Sequence, residues 1–120
     1  MARILLAEDD EAMRNFLEMA LRRAGHEVVA ATDGLEALAA LDSDESFDLL
    51  LTDIVMPGMD GIELSRTATK RHPKLKVMFI TGFAGVALGK RNPAHEKARV
   101  LSKPFHLKDL VDQVESLLAA

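Results

Sequence analysis

Leu49-Leu50-Leu51-Thr52-Asp53 is apolar on three consecutive positions and then stops at a hydroxyl and an acid. A strand with one wet face alternates apolar and polar residues. A run without alternation suits a parallel strand covered on both faces. Ile4-Leu5-Leu6-Ala7 reads the same way and stops at Glu8-Asp9-Asp10. Val77-Met78-Phe79-Ile80 stops at Thr81, and a short run opening with Val100-Leu101 stops at Lys103-Pro104. Val28-Val29-Ala30-Ala31 is a fifth run, less apolar at its start, which places it nearer a sheet edge.

Helical patterns separate these runs. Met13, Phe16, Leu17, Ala20, Leu21 and Ala24 recur at three- and four-residue spacing, with Asp10 as N-cap and Gly25 as C-cap. Asp33 can cap a short helix carrying Leu35, Leu38 and Leu41. The turn from Met56 to Gly61 leads into a helix from Ile62 to about Arg71, closed by Pro73. Leu107, Leu110, Val111, Val114, Leu117 and Leu118 form the last helix. Residues 82–99 contain Gly82, Gly85, Gly89 and Asn92-Pro93, so a helix there is short, from Val86 to Lys90. Inside a helix Gly costs ~1 kcal/mol and Pro ~3 kcal/mol. The rest of that segment is basic: Lys90, Arg91, Lys97 and Arg99, with His95.

Strands alternating with helices predict an α/β fold, a doubly wound parallel sheet of five strands and five helices with the fourth short or irregular. Right-handed crossovers point all strands the same way, so groups just past each strand share one edge. Ligands of such sheets bind at that edge.

Length and composition set the outer limits. The 120 residues suit one domain, taken as 1–120 with no output domain after the last helix. There is no Cys, Trp or Tyr. That excludes a disulfide framework, a thiolate zinc site and a cysteine nucleophile. A formal net charge of −4 argues against DNA as a partner. Five Phe are too few for a base-stacking surface. The opening apolar run is too short for a signal peptide, and no stretch approaches the ~18 apolar residues of a membrane span. The expected location is the cytoplasm.

The residues after the strands carry the chemistry. Glu8 and Asp9 follow the first, Asp53 ends the third, Thr81 the fourth and Lys103 the fifth. Three carboxylates at one point repel, and one stays protonated unless a cation joins them. Oxygen-only ligands with room for water favour Mg²⁺, with Mn²⁺ as a substitute. Lys103 and Thr81 then serve as donors to an anion beside the metal. That set suits phosphoryl transfer with Asp53 as nucleophile, forming an aspartyl-phosphate. Each residue also has a plainer reading. An acid after a strand is often a helix cap, Lys-Pro a turn, and a lone Thr says little. The weight lies in their coincidence on one edge.

Four segments together resemble the signature of response-regulator receiver domains of the CheY-like superfamily. They are Ile4 to Asp10, Thr52 to Gly61, Ile80-Thr81-Gly82 and Ser102-Lys103-Pro104-Phe105. The resemblance spans the chain and implies a flavodoxin-like sheet of order 2-1-3-4-5. It implies Asp53 as phospho-acceptor, with Mg²⁺ held by Glu8, Asp9, Asp53 and the backbone carbonyl of Val55. It implies Lys103 and Thr81 as the lysine and switch hydroxyl, and a phosphohistidine donor on a histidine kinase or phosphotransfer protein. Such a domain is no enzyme beyond its own phosphoryl transfer and slow dephosphorylation. Residues 77–83, 86–88 and 100–107 also resemble a group of stand-alone alphaproteobacterial receivers. These are implied to prime or localise the ClpX/ClpXP protease in cell-cycle control when unphosphorylated, and to be switched off through a CckA–ChpT relay. A phosphorelay shuttle, or a receiver acting on another protein, is the alternative. Leu117-Leu118-Ala119-Ala120 is similar to the apolar tails that ClpX reads as degradation tags.

The sequence departs from the receiver pattern in places. Many receivers keep an aromatic ring three residues before the lysine, and here that position is Val100. The switch is then expected to work through Thr81 and Gly82, with Val100 as core filler or as the altered element. Residues two after the acceptor and two after the threonine flank the hydrolytic water in receivers. Here they are Val55 and Phe83, neither able to orient water, so slow dephosphorylation is expected. A haloacid-dehalogenase-like phosphatase needs an Asp where Val55 stands. A flavodoxin-type cofactor binder needs a Gly/Ser/Thr phosphate loop where Glu8-Asp9-Asp10 stands. A receiver-shaped scaffold without phosphorylation is the third rival.

Overall fold

The structure, a computed structural model, describes residues 2–44, 46–81, 99–103 and 105–119. Five strands, β1 (Arg3–Ala7), β2 (Glu27–Ala31), β3 (Leu49–Asp53), β4 (Lys76–Thr81) and β5 (Arg99–Ser102), form one parallel sheet of order β2-β1-β3-β4-β5. The described helices are α1 (Glu11–Arg23), α2 (Gly34–Ser43), α3 (Gly61–Arg71) and α4 (Leu107–Ala119). This is the expected architecture and strand order. The short helix expected over 86–90 lies outside the described residues, as do Gly82, Phe83, Pro104 and Ala120.

The non-alternating runs have the predicted cause. In β1, β3 and β4 successive side chains enter two separate cores. Leu5, Ala7, Leu50, Val77 and Phe79 pack under α2 and α3 with Ala37, Leu41, Leu64 and Ala68. Ile4, Leu6, Leu49, Leu51, Met78 and Ile80 pack under α1 and α4 with Leu17, Ala20, Leu21, Leu110, Val114 and Leu117. The less apolar β2 is an edge strand, as its composition implied.

Acids start α1, α2 and α3. Asp10, Asp33 and Asp60 each accept a hydrogen bond from the backbone N–H three residues on, satisfying an amide with no partner inside the helix. After α1 the chain turns at Gly25 with φ +97°, a conformation that side chains with a Cβ disfavour.

One helix face departs from expectation. Leu35 is 66% exposed, and α2 buries Gly34, Ala37 and Leu41, with Leu38 half-buried. Leu35 lies about 100° around the helix from that face. The small residues of α2, invisible to a leucine count, define the buried side.

Candidate functional site

Sheet register sets the site. Ala7 is opposite Thr52, Asp53 opposite Ile80, and Thr81 opposite Ser102. The next residue out on β1 is Glu8, and on β5 it is Lys103. Glu8, Asp53, Thr81 and Lys103 therefore stand at one rim of the sheet. Lys103 N–H donates to the Thr81 carbonyl at 2.8 Å, which extends the β4–β5 pairing to the lysine itself.

The Lys103 ammonium lies 3.0 Å from Asp53 Oδ2 and 3.5 Å from Glu8 Oε1. Asp53 is buried, and its Oδ1 accepts from Val55 N–H at 3.3 Å. Glu8 is buried, and its Oε2 accepts from Asp10 N–H at 3.1 Å. Asp9 is exposed at the mouth. One carboxylate oxygen from each of Glu8, Asp9 and Asp53 falls within 4.8 Å of the others. The structure thus brings together all three predicted acids and Lys103. Thr81 is buried at the end of β4 beside them. Val55 presents its side chain outward, 55% exposed, and Val100 on β5 is 40% exposed.

Three carboxylates beside one ammonium make the electrostatics of this acid set unfavourable. Burial pushes the Glu8 carboxyl from its ordinary 4.5 up to about 7. The Asp10 N–H opposes that rise, the Asp53 charge adds to it, and the Lys103 charge lowers it. Lys103 experiences the reverse balance. Its partial burial disfavours the charge, but the hydrogen bond to Asp53 and the charges of Asp53 and Glu8 hold its pKa above the ordinary value. One ammonium is shared by two carboxylates, and Glu8 Oε1 is buried without a hydrogen-bond partner. A buried carboxylate oxygen with only a distant share of one ammonium, facing two further acids, fits a hard divalent cation.

Two contributors were not singled out from sequence. Gly61 opens α3 with its N–H donating to the Ile54 carbonyl at 2.8 Å. A Cβ there would come 2.1 Å from the Asp53 carbonyl oxygen, so only glycine lets α3 close on the strand end that carries the acid. Its signal was a glycine at the first helical position, just after an Asp cap. The other is Arg14, whose guanidinium donates to the Glu8 carbonyl at 3.0 Å and the Asp9 carbonyl at 3.4 Å. Its signal was a cation in the first turn of a helix, where acids are favoured.

The carboxyl edge of this doubly wound parallel sheet thus carries three clustered acids and a lysine. The chain belongs to the response regulator receiver domain family, whose match runs over residues 4–115. It is 58% identical to the response regulator receiver protein CpdR of Brucella abortus (strain 2308), over 100% of this chain and 99% of that protein. It is also 39% identical to the sensor kinase CckA of the same strain, over 98% of this chain but 12% of the kinase. Among solved structures, the response regulator TrrA of Thermotoga maritima in complex with Mg²⁺-BeF matches with a TM-score of 0.86 and 29% identity. That match covers 98% of this chain and 99% of TrrA. Among the described residues, no helix is long and apolar enough to cross a membrane.

Proposed function

We propose that this receiver accepts a phosphoryl group on Asp53 from a phosphohistidine, in a reaction that needs Mg²⁺. The observation that carries this is the convergence of Glu8, Asp9 and Asp53 with the Lys103 ammonium on Asp53 Oδ2. An Asp53 carboxylate oxygen attacks phosphorus, a P–O bond forms, and the P–N bond to the imidazole breaks. The imidazole leaves with the bonding pair and a proton from solvent. Glu8, Asp9, Asp53 and the Val55 carbonyl would hold the ion, which when bound offsets the acids' charge and that of the phosphoryl oxygens. Lys103 holds the acceptor carboxylate in place and neutralises a phosphoryl oxygen. The Thr81 hydroxyl donates to another. TrrA, solved with Mg²⁺-BeF, supports a site of this type.

The test is incubation with Mg²⁺ and a small acyl or amido phosphate donor, followed by intact mass. The expected result is one phosphoryl adduct, absent without Mg²⁺ and absent in Asp53→Ala. No adduct on the folded wild type refutes the reading and favours a scaffold.

The output we infer is the switching of a protein contact. We infer that the target is the ClpXP protease, engaged by the unphosphorylated chain and released through a CckA–ChpT-like relay, as the resemblance of residues 77–83, 86–88 and 100–107 to stand-alone receivers implies. The match to CckA covers a segment about as long as this chain, so it speaks to shared receiver chemistry rather than to the identity of the donor. Thr81, Gly82 and Val100 are the proposed switch elements. Val100 has no ring to swing, so the proposed switch relies on Thr81 and Gly82. Capture of ClpX by the unphosphorylated chain and its loss on phosphorylation is the expected result. Equal capture in both forms refutes the switch. The cytoplasmic location goes with this reading.

A further inference from the structure

Arg14 stands in the first turn of α1, four residues after the N-cap Asp10. A cation there opposes the helix dipole, whose positive end lies at that terminus. The other arginines of α1, Arg22 and Arg23, sit in the last turn, where the dipole favours them. Glu18, one turn beyond Arg14, does not compensate it, because Glu18 pairs with Arg22 at 2.8 Å.

The half-buried guanidinium instead reaches back over the β1–α1 loop. One nitrogen donates to the carbonyls of both Glu8 and Asp9. The loop's other anchors hold different atoms. Glu8 N–H bonds Ala31, Glu8 Oε2 takes the Asp10 N–H, and Asp10 Oδ1 takes the Met13 N–H. Arg14 is thus the side chain, among the described residues, that ties the two acid-bearing peptide units to the body of α1.

We propose that Arg14 is a positioning residue for divalent-cation binding: it fixes the backbone of Glu8 and Asp9 so that their carboxylates meet that of Asp53. This rests on the reading of those acids as the Mg²⁺ site. Arg14 touches neither the ion's ligand atoms nor the acceptor oxygen, so it acts through the loop. Two effects of its removal have opposite signs. Losing a positive charge near three carboxylates tightens Mg²⁺ binding. Losing the tie weakens it, because the acids must then be ordered by the ion itself. The proposal requires that the second effect wins.

The experiment is Mg²⁺ titration of the metal-free full chain by calorimetry and by amide chemical shifts. The proteins are wild type, Arg14→Lys, Arg14→Gln and Arg14→Met, each checked by thermal unfolding. Arg14→Met is expected to bind Mg²⁺ about tenfold more weakly, the lower end for loss of an outer-shell partner. Arg14→Lys keeps a donor and the charge and retains most of the affinity. Saturating Mg²⁺ restores the phosphorylation rate of Arg14→Met with a small donor, so the Mg²⁺ dependence moves and the maximal rate does not. Should Arg14→Met fail to fold, Arg14→Gln decides: weaker binding supports positioning, and equal or tighter binding overturns it. Equal or tighter binding by folded Arg14→Met likewise overturns it while leaving the Mg²⁺ site intact. A wild type that binds no Mg²⁺ overturns both readings.

Discussion

Glu8 makes the metal-free protein less stable as the pH rises through neutrality. In the folded chain burial holds its carboxyl at about 7, whereas the unfolded chain releases that proton near the ordinary 4.5. Between those two values the folded state binds the extra proton, so its stability falls with increasing pH. At about 1.4 kcal/mol per pH unit, the rise from 4.5 to about 7 amounts to roughly 3 kcal/mol present at pH 4 and absent at pH 8. That is a large part of the 5–15 kcal/mol typical of a domain. The assay is urea unfolding of metal-free protein at intervals from pH 5 to 8, repeated with Mg²⁺. Stability should decline across that window without the ion and recover when it is added, because an ion held at the proposed site would bind the ionised acids of the folded state alone. Glu8→Gln should flatten the metal-free profile. A flat wild-type profile, or a slope that survives in Glu8→Gln, refutes the reasoning.

Other predictions address separate features. Gly61→Ala should cost about 2–4 kcal/mol, because its Cβ meets the Asp53 carbonyl oxygen at 2.1 Å and backbone must move; urea unfolding gives the loss, and intact mass should show slower phosphorylation of the folded fraction. Val55→Asn should shorten the life of the phosphoryl group by roughly tenfold, since one oriented hydrogen bond to the attacking water is worth about 1.4 kcal/mol. Decay followed on phosphate-affinity gels checks it, and an unchanged rate removes Val55 from the account of slow dephosphorylation. Asp44 is held at about 2 by the Ser46 hydroxyl and N–H and by Arg3. Its contribution is therefore present above about 3.8 and lost as the pH falls toward 2; in acid unfolding scans Asp44→Asn should show a shallower loss there.

Much of the fold was legible because its strongest signal is local. Each of Leu49, Leu50 and Leu51 had to be buried somewhere, and consecutive burial leaves a strand between two helical layers as the economical solution. The Asp10 and Asp33 caps were equally plain, whereas the Asp60 cap is masked by the turn residues Met56 to Gly61 that surround it. The face of α2 was not legible. Leucines at 35, 38 and 41 look like a stripe, but Leu35 faces out, Gly34 closes against Met59, and Ala37 joins Leu41 in the core. Size complementarity across a contact has no counterpart in a one-dimensional pattern.

The site divides along the same line. Residue type and strand end were enough to place Glu8, Asp9, Asp53, Thr81 and Lys103 on one rim, because parallel strands in a common register leave no other arrangement. Burial was not contained in that reasoning. Glu8 and Asp9 are neighbours of the same chemical type, yet one is buried and the other exposed. The difference arises because Glu8 is still paired to β2 through its N–H to the Ala31 carbonyl, between the two helical layers, while Asp9 lies past that pairing. That one-residue step turns a generic acidic pair into two distinct groups: one buried and poised near neutrality, one open to solvent at the mouth. Lys103 cannot resolve the conflict alone, since a single charge faces Glu8 at 3.5 Å and Asp53 at 3.0 Å. The register that builds the sheet therefore also builds a charge deficit at its edge, and a cation that fills it acts on stability and chemistry together.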